Sequence, residues 1–171
     1  MHQPAEVRGL VASDVEPIVS AFAALGWNKP REQYERYLRE QAEGRRVVLV
    51  ACRGERIYGY GTVVWESDYP PFRAEAIPEI NDLNVFPEYR RQGIASLILD
   101  EAERLIGERS RIAGIGVGLY ADYGAAQRIY VKRGYVPDGH GIVWRNRTVL
   151  GGEHVVADDD LVLHLRKILA A

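Results

Sequence analysis

The chain has little that would commit it to a special environment. Only one of its 171 residues is cysteine, Cys52, so an internal disulfide cannot form and a cysteine-rich metal site is ruled out. No run of apolar residues approaches the length needed to cross a bilayer, and the start, MHQPAEVRGL, has no basic stretch leading into an apolar one. Neither sign of charge is in excess: 22 Lys and Arg stand against 24 Asp and Glu, which argues against nucleic acid and membrane as partners. Repeats, low-complexity tracts and linker-like segments are missing. Against these absences stand 47% hydrophobic residues, enough for a core. The expectation is a single domain over residues 1–171, cytoplasmic, and a monomer or homodimer.

Periodicity and punctuation then divide the chain. A first strand in EVRGLVASD leads to a helix over residues 15–25, capped by Ser13 or Asp14 and stopped at Gly26. Pro30 opens a second, charged helix that ends at Gly44. RRVVLVACRGERIYGYGTVVWES reads as a hairpin turning at Arg53, Gly54 and Glu55, and DYPPFRAEA as a proline-bearing loop. IPEINDLNV is a strand. The clearest helix follows, with Ile94, Leu97, Ile98, Ala102, Leu105 and Ile106 at helical spacing. RIAGIGVGLY is a strand, DYGAAQRIYVKRG a helix, and GIVWRNRTVL and DDLVLHLRK the last β segments. The fold class is therefore α/β in the α+β sense: a mixed, mostly antiparallel sheet of about six or seven strands with about four helices on both faces.

Two glycine-bearing stretches invite chemistry. The glycines at 114, 116 and 118 do not fit a dinucleotide fingerprint, because the sixth position from Gly114 is Leu119 and the run lies within a strand. They indicate instead a strand whose backbone something approaches closely. VFPEYRRQGIAS, over residues 85–96, is different: it places Arg90, Arg91 and Gly93 where a strand gives way to a helix. A glycine turn that aims successive amides at one point, a helix N-terminus and two guanidinium groups suit a phosphate or pyrophosphate.

In that stretch Arg90, Gly93 and Ala95 match the Arg/Gln-x-x-Gly-x-Gly/Ala pattern, and GAAQRIYVKRGY carries Ala126, Tyr130, Gly134 and Tyr135 in a second signature. With these motifs in order, the sequence resembles the GCN5-related N-acetyltransferase (GNAT) family. The resemblance implies a fold with splayed central strands and acetyl-CoA as co-substrate. It implies that the backbone from Arg91 through Gln92, Gly93, Ile94 and Ala95 to Ser96 holds the diphosphate, with Arg90 beside it. It also implies that Leu83 and Val85 face the thioester and the pantetheine amides with their backbone. Ala126 lies on the cofactor side of the later helix. Many relatives have Asn seven residues before the helix tyrosine; here that place holds Tyr123, which stacks on the cofactor arm or the acceptor, or simply packs.

The chemistry asks for a base to free the attacking amine, a donor for the oxyanion and an acid for the leaving thiolate. By resemblance the Leu83 amide is the oxyanion donor and Tyr130 the acid. Glu79 stands 11 residues before Arg90, where some relatives carry a catalytic glutamate; it is the base or an acceptor-binding carboxylate. Strand alternation puts Glu79, Asn81 and Leu83 on one face and Ile80, Asp82 and Asn84 on the other, and Asp82 needs a partner. Trp27, Tyr34, Tyr37 and Trp144, with Glu66, Asp68 and Glu75, offer aromatic and acidic surface for a cationic amine, while Asp158 to Asp160 read as a solvated run. His140, His154 and His164 lack metal-site spacing, so no metal is expected. The expected function is N-acetyl transfer from acetyl-CoA to a primary amine of a small molecule or peptide in a ternary complex; the alternative is a non-catalytic acyl-CoA sensor of the same fold.

Overall fold

A computed structural model describes residues 5–170. The expected single domain runs past that range at both ends. In chain order the elements are β1 (Glu6–Gly9), α1 (Val15–Ala24), α2 (Arg31–Ala42), β2 (Arg46–Arg53), β3 (Arg56–Val64), α3 (Pro70–Ala74), β4 (Glu79–Val85), α4 (Ile94–Gly107), β5 (Ile112–Gly118), α5 (Gly124–Lys132), β6 (Val136–Trp144), β7 (Arg147–Thr148) and β8 (Leu161–Ile168). The strands hydrogen-bond in the order β1-β2-β3-β4-β5-β8-β6-β7. The sheet is mixed and mostly antiparallel, as expected, but among the described residues it has eight strands, and five helices accompany it. The additional helix is α3: Pro70 and Pro71 stand in its first turn, where a fixed φ suits a helix and a missing N–H costs nothing.

Backbone packing divides the described residues into two compact units, 5–64 with 81–105 and 65–80 with 106–170. In the first, β2 and β3 form the expected hairpin, with Arg53 opposite Arg56 and Gly54 at φ 56° in the turn. Val48, Val50, Cys52 and Tyr60 point from these strands into a core with Ile18 and Phe22 of α1 and Tyr34 and Tyr37 of α2. Asp14 fastens the entry to α1, accepting from Arg8 at 2.7 and 2.8 Å and from the Val11 N–H at 2.9 Å. Gly59 and Gly61 make room on the opposite face: a Cβ on Gly59 would stand 2.4 Å from the Asn84 carbonyl, and one on Gly61 would meet Ile98 of α4 and Leu83.

In the second unit the parallel ladder of β4 with β5 holds two pairs, Glu79 with Gly114 and Ile80 with Ile115. β5 and β8 pair antiparallel along seven residues. β6 is longer than the sequence suggested, beginning at Val136. Its register against β8 shifts between Pro137 and Ile142, around Gly139 and Gly141 at positive φ. The glycines of β5 are sockets. A Cβ on Gly114 would lie 2.3 Å from the Phe72 ring, one on Gly116 2.8 Å from Val162, and one on Gly118 2.4 Å from the Tyr123 ring. What approaches this strand is thus the chain's own side chains.

Candidate active site

The turn that leads into α4 has the geometry its residues suggested. Arg91 adopts φ 57° and Gly93 φ 82°, so two left-handed residues flank Gln92. The Gly93 carbonyl accepts the N–H of Leu97, and the amides of Ile94, Ala95 and Ser96, the first donors of the helix, have no backbone acceptor among the described residues. Nothing lies within 4 Å of a Cβ placed on Gly93, so the backbone there is open to approach. The two arginines divide the work. Arg90 turns back, its Nε donating to the Val85 carbonyl at 3.1 Å and its guanidinium lying over the Trp27 ring. Arg91 is exposed, with no side-chain partner among the described residues. The Gln92 amide is bound to the Glu88 carbonyl at 3.0 Å.

Upstream on β4, regular alternation fails. Asn81 accepts from Arg46 at 3.1 Å and from the Thr62 hydroxyl, while the next residue, Asp82, accepts from Tyr60 at 2.7 Å. Tyr60 and Thr62 are two apart on β3 and share a face, so the consecutive Asn81 and Asp82 share one too. The expectation that they point opposite ways is corrected here: Asp82 has φ 48°, and a left-handed residue breaks the pleat. Leu83 then lies on the other face, against Gly61 and Ile98.

Asp82 has far more than one partner. Its Oδ1 accepts from Lys29 at 2.5 Å and Asn84 at 2.8 Å; its Oδ2 accepts from Gln33 at 2.8 Å, Tyr37 at 2.9 Å and Tyr60 at 2.7 Å. Burial alone would raise this carboxyl's pKa, but the Lys29 ammonium and the phenol donors outweigh it and hold the group below its usual range. Tyr34 and Tyr37, expected on an acceptor surface, are core residues whose hydroxyls feed this network, Tyr34 through Tyr60 at 3.1 Å.

The second unit holds the remaining predicted residues. Glu79 accepts from the Ser67 hydroxyl, and its Oε1 stands 3.7 Å from Nε2 of His164, too far for a hydrogen bond. Ser67 is itself fixed by the Tyr69 N–H at 3.0 Å. The His164 ring stacks flat on Tyr69 at 3.6 Å, and the Tyr69 hydroxyl donates to Asp138 at 2.8 Å. Burial pushes the His164 pKa down to about 4, against the opposing charge of Asp138, so the imidazole is neutral near pH 7. Sequence reading used His164 only to exclude a metal; its place on the apolar face of β8 was the available signal. Among the described residues no metal-binding group of His, Cys, Asp and Glu occurs.

Tyr130 is buried on α5, and burial raises its pKa, so its hydroxyl is protonated at neutral pH. No described residue hydrogen-bonds it. Ala126 lies one turn before it on α5, half-buried. Tyr123 packs its ring on Gly118 and donates to Asp159 at 2.8 Å, which commits it to the loop before β8. The acidic run is not simply solvated: Asp158 accepts from Trp144 at 3.1 Å, Asp159 from Tyr120 and Tyr123, and Asp160 from Arg145 at 3.3 Å. Asp68 and Glu75 are likewise spoken for, by Arg73 at 3.0 Å and Arg166 at 3.1 Å.

Several solved structures with this architecture are acetyltransferases by name. The ribosomal-protein-alanine N-acetyltransferase of Brucella melitensis superposes with a TM-score of 0.69 at 18% identity, over 95% of this chain and 99% of its own. An N-acetyltransferase from Staphylococcus aureus gives 0.70 at 16%, over 98% and 100%. The PaiA N-acetyltransferase of Thermoplasma acidophilum, solved with coenzyme A, gives 0.65 at 14%, over 97% and 99%. Likeness at these identities defines the fold class. Among curated protein sequences no relative matches. The family follows from a different observation: the model of the GNAT acetyltransferase domain matches residues 44–137, more than half of the chain, and the protein belongs to that family. Acetyl-CoA is accordingly its co-substrate.

Proposed function

We propose that the protein is an N-acetyltransferase that moves the acetyl group of acetyl-CoA to a primary amine of a small molecule or peptide, by direct attack in a ternary complex in the cytoplasm. The observation that carries this reading is the turn at the head of α4. Two left-handed residues followed by the first helix amides, those of Ile94, Ala95 and Ser96, suit a diphosphate, and Arg91 adds a free positive charge. Arg90 serves the same site indirectly, by bracing the end of β4 through the Val85 carbonyl.

In the reaction the amine nitrogen bonds to the thioester carbonyl carbon and the carbon–sulfur bond breaks. The Leu83 amide donates to the oxyanion, Glu79 takes the proton of the attacking ammonium, and Tyr130 protonates the thiolate. Burial keeps the Tyr130 hydroxyl protonated well above neutral pH. Glu79 suits its role because its carboxylate, 12% exposed, is oriented by the Ser67 hydroxyl and lies beside the neutral imidazole of His164.

A screen of amines, polyamines, aminoglycosides and peptide N-termini, read by thiol release, tests the reaction. Gly93→Asp tests the cradle. Its side chain must adopt a strained φ and points a negative charge at the diphosphate, so acetyl-CoA affinity should fall at least about 100-fold in a folded variant. Calorimetric titration measures it, and unchanged affinity would mean that the diphosphate binds elsewhere. Binding without acetylation of any amine would move the protein to the sensor reading.

A further inference from the structure

We propose that Asp82 is a positioning residue for acetyl transfer: its carboxylate, fastened by five donors, holds β4 in the left-handed kink that aims the Leu83 amide at the acetyl carbonyl. This rests on the reading of Leu83 as oxyanion donor. The N–H of Leu83 belongs to the peptide plane that begins at Asp82, so the dihedral angles of Asp82 set where it points. At φ 48° that plane is turned out of the regular pleat, as the shared face of Asn81 and Asp82 records.

A residue with a side chain keeps such a conformation when its surroundings over-determine it. Here they do. Gln33 and Tyr37 reach Asp82 from α2, Lys29 from the segment before α2, Tyr60 from β3 and Asn84 from β4 itself. The donors come from four directions, so the carboxylate cannot swing away without leaving buried phenols and an ammonium unpaired. Neither carboxylate oxygen is left for a substrate. The knot therefore acts on the reaction through the backbone, by fixing a hydrogen-bond donor before the thioester arrives.

The test is the carbonyl stretch of acetyl-CoA labelled with carbon-13 at the acetyl carbonyl, recorded by difference infrared spectroscopy on the bound co-substrate. No acceptor amine is required. A donated hydrogen bond lowers the stretching frequency, and the wild-type protein should show that lowering. In Asp82→Thr, whose branched side chain disfavours φ above zero, the frequency should return towards that of free acetyl-CoA while calorimetric affinity stays within about threefold. Asp82→Asn, which tolerates the left-handed region and keeps an acceptor, should retain the lowering. Should Asp82→Thr fail to fold, the double variant Gln33→Leu with Tyr37→Phe strips two tethers and should give a partial return. A wild-type frequency in both the Thr and the double variant overturns the proposal. A wild type that binds acetyl-CoA without any lowering overturns the Leu83 reading, and the positioning role with it. Loss of binding in the Gly93→Asp protein is independent of either result and tests the cradle alone.

Discussion

Glu79 and Asp82 are carboxylates three residues apart on one strand, and their surroundings could hardly differ more. Asp82 meets an ammonium, two phenols and two amides, each within hydrogen-bond distance. It is held ionised and has no reason to take a proton. Glu79 meets a serine hydroxyl and faces a histidine that burial keeps neutral. The same functional group is an anchor at Asp82, surrounded by an ammonium and four neutral donors, and at Glu79 lies beside a serine hydroxyl and a neutral ring, the setting that the proposed proton transfer would use.

Removing each carboxylate should separate these roles. Glu79→Gln should lower turnover about 1,000-fold, within the range for loss of a general base, with acetyl-CoA affinity unchanged by calorimetry. Full turnover with an acceptor found in the screen would reduce Glu79 to a packing residue. Asp82→Ala should act on stability instead. It strands Lys29 and four neutral donors, at a cost of about 3 kcal/mol in urea unfolding, whereas Glu79→Gln should cost under about 1 kcal/mol. Equal losses would erase the distinction between anchor and base.

The neutral histidine gives the contrast a pH signature. His164 titrates near 6.5 when unfolded and at about 4 when folded, so between those values the unfolded chain binds more protons. Its contribution is fully present above about pH 6.5 and is lost as pH falls towards 4, to a total of at most about 3 kcal/mol. In His164→Leu the slope of stability against pH in that window should flatten; an unchanged slope would assign it to other groups. The smallest effect belongs to Tyr130→Phe, which keeps the ring and removes the proton donor. Turnover should fall roughly 100-fold with little change in acetyl-CoA affinity, and a wild-type rate would transfer the acid's role to solvent.

How much of this was legible in the chain depended on whether the signal was local. The periodicity of Ile94 to Ile106, the turn at Gly54 and the strand-to-helix glycine at 93 are written in neighbouring residues, and all three appear where they were expected. The break at Asn81 and Asp82 was not, because it depends on Tyr60, Thr62 and α2 offering donors to one face of a strand whose own letters alternate normally. α3 escaped for a related reason: five residues with two prolines carry too few positions for a helical period to register. The start of β6 was missed because Gly139 and Gly141, both at positive φ, form a bulge inside a strand that begins before them. His164 gave a histidine among leucines, and only the fold supplied Glu79 and Tyr69 as its neighbours.

The glycines of β5 carry a consequence for inheritance. Each missing methyl is filled by a particular side chain: Phe72 at Gly114, Val162 at Gly116, Tyr123 at Gly118. A descendant that gains an alanine at 114 can keep its strand only if position 72 shrinks, and one that replaces Tyr123 with a small residue loses what requires glycine at 118. These positions should therefore change in pairs, so that a strand rich in the least distinctive residue records which side chains are packed against it.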